Sequence, residues 1–212
     1  AWGYRALPLE NRQFLAAVPV RKNTDGGWDG LNLTWYGLLS ANAYAFGVII
    51  FLVLTASMGL SLTGLSLLIL LLLAVCMPAS SLIARLVEKK QGTLTVGGAV
   101  FAGTLAAPFL VHGINLSFGR ISGQQIPLPV FMAAAAIAYA FGEGLGRLAC
   151  ISFGCCYGKP LNQCSPTVQT LFSRFNLVFS GGTKKIAYAS NLEGRPVLPV
   201  QVITALLYCA AG

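Results

Sequence analysis

Apolar residues run through this chain in long blocks, and polar residues are confined to the gaps between them. No Asp, Glu, Lys or Arg occurs in residues 30–84, 91–119, 121–142 or 196–212. A helix of about 20 apolar residues crosses the hydrocarbon of a bilayer, and each of the first three windows can hold at least one. The blocks predict spans at about 36–58, 62–87, 94–114 and 129–149, with a fifth starting near Pro199 and cut short at residue 212. Trp35 and Tyr36 stand at the start of the first span, where an interfacial aromatic belt places such rings. Pro78 predicts a kink in the second. Gly97, Gly98, Ala102, Ala106 and Ala107 lend the third a small face for close packing. The fourth is so rich in Ala and Gly that it is expected to be central, because small residues help only where another backbone approaches. The pattern predicts an all-α polytopic membrane protein.

Between these blocks, residues 1–35 read as a polar, interfacial segment, and residues 150–198 as a second polar region. The run 25–30, Asp-Gly-Gly-Trp-Asp-Gly, predicts a turn. It lacks the ligand spacing of a calcium loop. Composition sharpens the class. Charged residues make up 9% of the chain, against about 25% in a soluble domain. Mean hydropathy is +0.72. A soluble monomer and a disordered chain are both excluded. The net charge of +8 points to anionic lipid headgroups and not to nucleic acid, because the basic residues lie in loops beside the spans. The chain starts at Ala and stops inside an apolar run, so it is read as part of a longer protein.

The chemistry concentrates at the end of the fourth span, in Phe141-Gly-Glu-Gly-Leu-Gly-Arg-Leu-Ala-Cys-Ile-Ser-Phe-Gly-Cys-Cys-Tyr-Gly-Lys-Pro160. Glu143 and Arg147 stand four apart, on one helix face, in the favourable order for an ion pair. Charges within a span cost about 2.5–3.5 kcal/mol each on insertion scales and mark function. An arginine here can hold a phosphate through paired hydrogen bonds. Four of the six cysteines fall within residues 150–164. Cys150, Cys155 and Cys156 are candidate nucleophiles beside a cation. They also read as packed thiols, with four sulfur ligands, Cys164 included, as a lesser alternative. Their spacing is not that of a zinc ribbon or an iron–sulfur site, so no metal and no cofactor is assigned. His112 reads as a packed or pore-facing residue of the third span.

Several stretches resemble the prolipoprotein diacylglyceryl transferases, bacterial inner-membrane enzymes that move the diacylglyceryl group of phosphatidylglycerol onto a protein thiol. Leu33-Thr-Trp-Tyr-Gly-Leu38 is similar to the family's Arg-Trp-Tyr-Gly-Leu run. Gly92-Thr-Leu-Thr-Val-Gly-Gly98 is similar to its His-Gly-Gly motif. Residues 146–158 resemble its signature Gly-Arg-Ile-Gly-Asn-Phe-Ile-Asn-Gly-Glu-x-x-Gly, and Pro199-Val-Gln201 its Pro-Ser-Gln. The resemblance implies a helical bundle of that type, with further C-terminal helices beyond residue 212. It implies Arg147 as the phosphate ligand, Tyr36 as the functional tyrosine, and Gly98, Gly146, Gly154 and Gly158 as residues that shape the substrate site. Cys155, Cys156 and Glu143 complete the expected catalytic set. The departures are specific. Thr34 replaces the opening arginine, Val96 the histidine, Cys150 and Phe153 the two asparagines, and Cys155 the glutamate. Thr204 stands where the fifth helix carries a glutamate in the family.

With alternating spans, every basic residue except Arg120 falls on one side of the membrane. Positive-inside counting puts that side in the cytoplasm, and the resemblance puts it in the periplasm. Arginines that hold anionic headgroups gather on a working face, which favours the periplasmic placement. The expected function is transfer of a lipid-derived group from an anionic, phosphatidylglycerol-like phospholipid to a thiol acceptor. The alternatives are a non-catalytic lipid-binding subunit of a larger membrane complex, or a thiol-based redox or transfer protein that uses Cys155 and Cys156.

Overall fold

A computed structural model describes residues 2–24, 26–87, 89 and 94–212. The protein is mostly helical, and four of its helices are long and apolar enough to cross a membrane. The chain starts with α1 (Trp2–Ala6) and a hairpin of β1 (Phe14–Lys22) and β2 (Trp28–Thr34). The long helices follow: α2 (Trp35–Ser57), α3 (Leu62–Leu86), α4 (Val96–Ile114), and, after α5 (Arg120–Ser122), α6 (Leu128–Phe153). A π-helical turn (Asn115–Gly119) joins α4 to α5, so one span runs from Val96 to Ser122. Beyond α6 come short elements: α7 (Pro166–Phe172), β3 (Leu177–Val178), α8 (Lys185–Ser190) and β4 (Pro196–Val197). The apolar α9 (Val200–Ala211) ends the described chain. The long helices expose large apolar side chains, such as Leu70, Phe101, Phe109 and Ile121. Water would penalise such a surface, and lipid solvates it. The protein therefore spans a membrane.

The chain divides into two compact units, one of residues 1–48 and 138–212, the other of residues 49–137. In the second unit α3 and α4 lie against each other. Ser80, buried two residues after Pro78, donates its hydroxyl to the Thr95 carbonyl at 2.7 Å and accepts from the Thr95 amide at 2.8 Å. A side chain of α3 thus holds the backbone of Thr95, the residue that precedes α4. A Cβ on Gly98 would stand 3.0 Å from Cβ of Ile83, so α4 approaches α3 at a residue without a side chain. Asn115 closes the far end, exchanging two 2.8 Å hydrogen bonds with the backbone of Ile126.

The first unit holds the candidate chemistry. Gly47 of α2 faces α6 so closely that a Cβ there would lie 3.0 Å from the Ala138 carbonyl oxygen. Gly144 of α6 faces α9, with Cys209 Sγ and the Ala205 carbonyl oxygen 2.9 and 3.1 Å from a Cβ. The glycines of α6 let backbones meet in lipid, where dispersion and not the hydrophobic effect drives association. Outside the spans, Leu7, Leu177, Phe179, Ile186 and Val197 pack with Ile151 of α6 into a small core. This core fastens the N-terminal segment and the region after α6 to the end of that helix.

The hairpin departs from the sequence reading. The run 25–30 is not a single turn: Asp25 lies outside the described residues, and Trp28–Gly30 belong to β2. Pro19 argues against a strand. It is tolerated because a two-stranded sheet leaves each strand a free edge, and because the register shifts between Pro19 and Arg21.

Candidate functional site

Helix geometry places Glu143, Arg147 and Cys150 on one face of α6, at intervals of four and three residues. The Arg147 guanidinium donates to Glu143 Oε1 at 2.6 Å, with the carboxylate side chain only 10% exposed. The second terminal nitrogen of Arg147 points at Cys156 Sγ, 3.5 Å away. Arg147 Nε is buried and has no hydrogen-bond partner among the described residues. The arginine is thus oriented by a carboxylate on one side and meets a thiol on the other.

The thiol is there because α6 ends abruptly. Gly154 takes a left-handed φ of +69°, and the amides of Gly154 and Cys155 both donate to the Cys150 carbonyl, at 2.9 and 3.2 Å. This Gly-type helix stop turns the chain back over the last turn. It brings Cys155 and Cys156 to Cys150, so that the three Sγ atoms lie within 4.8 Å of one another. Cys150 and Cys155 are buried, and Cys156 is exposed. Cys156 itself sits at φ +52°. For a residue with a side chain that conformation costs about 1 kcal/mol, a strain typical of functional positions. The Cys155 carbonyl accepts from Gln201 Nε2 of α9 at 2.8 Å. Tyr36, on the first turn of α2, packs its ring 5.6 Å from that of Phe153. It lies within electrostatic reach of Cys150 and Cys155.

Hydrogen bonds from Cys150 and Cys155, with the charge of Arg147 added, hold the Cys156 thiol far below its usual range. For Cys155 the hydrogen bond with Cys150 pulls downward, but the bond with Cys156 and burial outweigh it and leave that thiol raised. The cluster therefore concentrates negative charge on the exposed sulfur, next to the guanidinium.

Lys184 supports this turn from below. It is fully buried, and its ammonium donates to the Leu7 carbonyl at 3.0 Å and to the Ser152 carbonyl at 2.5 Å. Ser152 lies in the last turn of α6, where carbonyls lack helical partners and the helix dipole favours a cation. Burial lowers the Lys184 ammonium to about 8, against a smaller opposing pull from Glu10. Glu10 and Glu193 accept the amides of Thr183 and Gly181, which hold the loop that carries Lys184.

The first unit brings together Glu143, Arg147, Cys150, Cys155, Cys156 and Tyr36. Cys164 does not join the sulfur cluster; its thiol donates to the Pro160 carbonyl. Gly146 has open space on its Cβ side. Gly154 and Gly158 have packing roles. A Cβ on Gly154 would meet Lys184 Cβ at 3.1 Å, and one on Gly158 would meet the Leu198 carbonyl oxygen at 2.6 Å. Gly98 belongs to the second unit and packs against Ile83 and Thr95 there. Sequence reasoning passed over Lys184 and Ser152. A lysine after Gly-Gly-Thr reads as a solvated loop residue, and no local signal marks its burial. Comparison of the chain with protein-family models, with curated proteins and with solved structures finds no match to any of them.

Proposed function

We propose that this protein is a membrane-embedded transferase of the diacylglyceryl-transferase type. It moves a diacylglyceryl-like group from an anionic, phosphatidylglycerol-like phospholipid to a thiol on a protein acceptor. The observation that carries this reading is the contact of Arg147 with Cys156 at the end of a spanning helix. A phosphate binder and a sulfur cluster meet there. Glu143 fixes the guanidinium, and Arg147 Nε, buried and without a hydrogen-bond partner among the described residues, is an unused donor of the kind an anion satisfies. In the reaction the acceptor thiolate forms a C–S bond to the glyceryl methylene carbon. The C–O bond to the phosphate breaks, and its electron pair leaves on the phosphate oxygen, towards Arg147. The acceptor's proton passes to water. Holding the leaving phosphate in place supplies orientation and charge stabilisation together. The resemblance of residues 146–158 to the transferase signature supports a bacterial inner membrane and a site on the periplasmic side.

The test uses the purified chain in phosphatidylglycerol vesicles, with the label in the diacylglyceryl part and a cysteine-containing peptide as acceptor. Labelled peptide is expected with the wild-type chain, and Arg147→Ala should slow its formation about 10²–10³-fold, as removal of a transition-state donor does. No label on the peptide with the wild-type chain overturns the reading, as does undiminished transfer by Arg147→Ala.

A further inference from the structure

We infer that Cys150, Cys155 and Cys156 form a three-sulfur zinc site whose open fourth position takes the acceptor thiol. The inference rests on the transfer reading for its role in the reaction, but not for the site itself. Spacing along the chain assigned no metal here, because four residues between the first two cysteines and none between the last two fit no zinc-ribbon pattern. The fold changes that by reversal of the chain at Gly154. Sulfurs in a tetrahedral zinc site, each about 2.3 Å from the metal, lie about 3.8 Å apart. The three Sγ atoms already fall within 4.8 Å of one another, so side-chain rotation of a few tenths of an ångström up to one ångström closes the site.

Three further features fit. Two sulfurs are buried and one is exposed, so the cluster has a closed floor and one open side, the arrangement of a metal that keeps a position for substrate. The frame around the ligands is fixed: Gln201 holds the Cys155 carbonyl, and the two amides on the Cys150 carbonyl hold the turn. Arg147 stands beside Cys156 and offsets part of the charge of three thiolates. The site also answers a chemical need. The acceptor thiol must lose its proton, and Glu143, the carboxylate of this cluster, is already committed to Arg147. Coordination removes that proton without a base, since a thiol bound to zinc is deprotonated outright. The proton goes to water, the sulfur electron pair forms the C–S bond, and the C–O bond to the phosphate breaks as above. No atom changes oxidation state through the metal.

The experiment loads the full chain, in phosphatidylglycerol nanodiscs, with Zn(II) after chelation and removal of excess. Bound zinc is counted by elemental analysis, and a parallel sample takes Co(II), whose absorption reports tetrahedral thiolate ligation. One metal per chain is expected. Cys155→Ser and Cys156→Ser should each weaken binding by more than the 10–100-fold that losing an outer partner costs. Cys164→Ser should bind as the wild-type chain does. Because Cys155 is buried and its variant can fail to fold, the exposed Cys156 carries the decision. Stoichiometric zinc that Cys156→Ser retains undiminished overturns the site, and so does the absence of stoichiometric zinc in the wild-type chain. The transfer assay separates the two readings. A stripped chain that transfers lipid at full rate keeps the transferase and removes the metal from it. A chain that binds zinc through the three sulfurs and transfers nothing keeps the site and overturns the transferase.

Discussion

Replacement of Lys184 by Met keeps the side-chain stem and removes the ammonium. The Leu7 and Ser152 carbonyls, both in buried residues, then lose their donor. Orphaning a buried carbonyl costs about 1–3 kcal/mol. Relief from burying a cation returns part of the sum, so the net loss is about 2–4 kcal/mol. The loss is local, because the two carbonyls join the N-terminal segment to the last turn of α6. Amide hydrogen exchange on the chain in nanodiscs reads it directly. Protection at residues 177–186, around the core of Phe179 and Ile186, should fall about 30- to 1,000-fold, at about 1.4 kcal/mol per tenfold. The effect has a pH signature. The folded ammonium titrates at about 8, against 10.5 for an unperturbed lysine. Between those values the opened segment binds more protons than the closed one, so stability rises with pH across that window and falls as pH drops through 8. Protection corrected for intrinsic exchange should therefore increase from pH 8 to 10 in the wild-type chain, and Lys184→Met should lack that increase. Unchanged protection in Lys184→Met, or protection in the wild-type chain that declines across the window, would refute the reasoning.

Other substitutions test separate parts of the structure. Gly144→Val forces a side chain against Cys209 and the Ala205 carbonyl and should loosen the α6–α9 contact, seen as faster exchange across α9. Gly146→Ala meets open space and should leave helix α6 as stable or up to about 1 kcal/mol more stable, so a large loss of thermal stability would count against the geometry. Ser80→Ala strips the Thr95 amide of its partner and leaves the Thr95 carbonyl only the Ala99 amide, and should cost the α3–α4 hairpin about 1–3 kcal/mol, read by steric trapping or exchange at the start of α4. Limiting iodoacetamide on the metal-free chain should label Cys156 before the other five cysteines, because it alone is exposed and held as thiolate by its neighbours; first labelling at Cys164 or Cys209 would contradict this.

By itself the sequence determined the solvent of this protein. Charge-free windows of spanning length leave no alternative to helices in lipid, and α2, α3 and α4 follow directly from them, although the span that α4 opens runs past the expected end near residue 114 to Ser122. It also marked the chemical neighbourhood, since Glu143 and Arg147 at helical spacing must share a face. The sequence did not show where α6 stops. The expected boundary near residue 149 falls short of Phe153, because an apolar run carries no signal for its own end and the stop depends on one left-handed glycine. Everything at the site turns on that stop. Without the reversal at Gly154, Cys150 and the Cys155–Cys156 pair would point along a continuing helix, and their sulfurs would not converge. Lys184 and Gln201 reach this turn from residues far along the chain, and no periodicity relates them to it. Helix periodicity and hydropathy are local and readable from neighbouring residues. The three-sulfur cluster rests on one backbone reversal that no periodicity marks, and its supports from Lys184 and Gln201 are long-range contacts, so only the packed fold decides them.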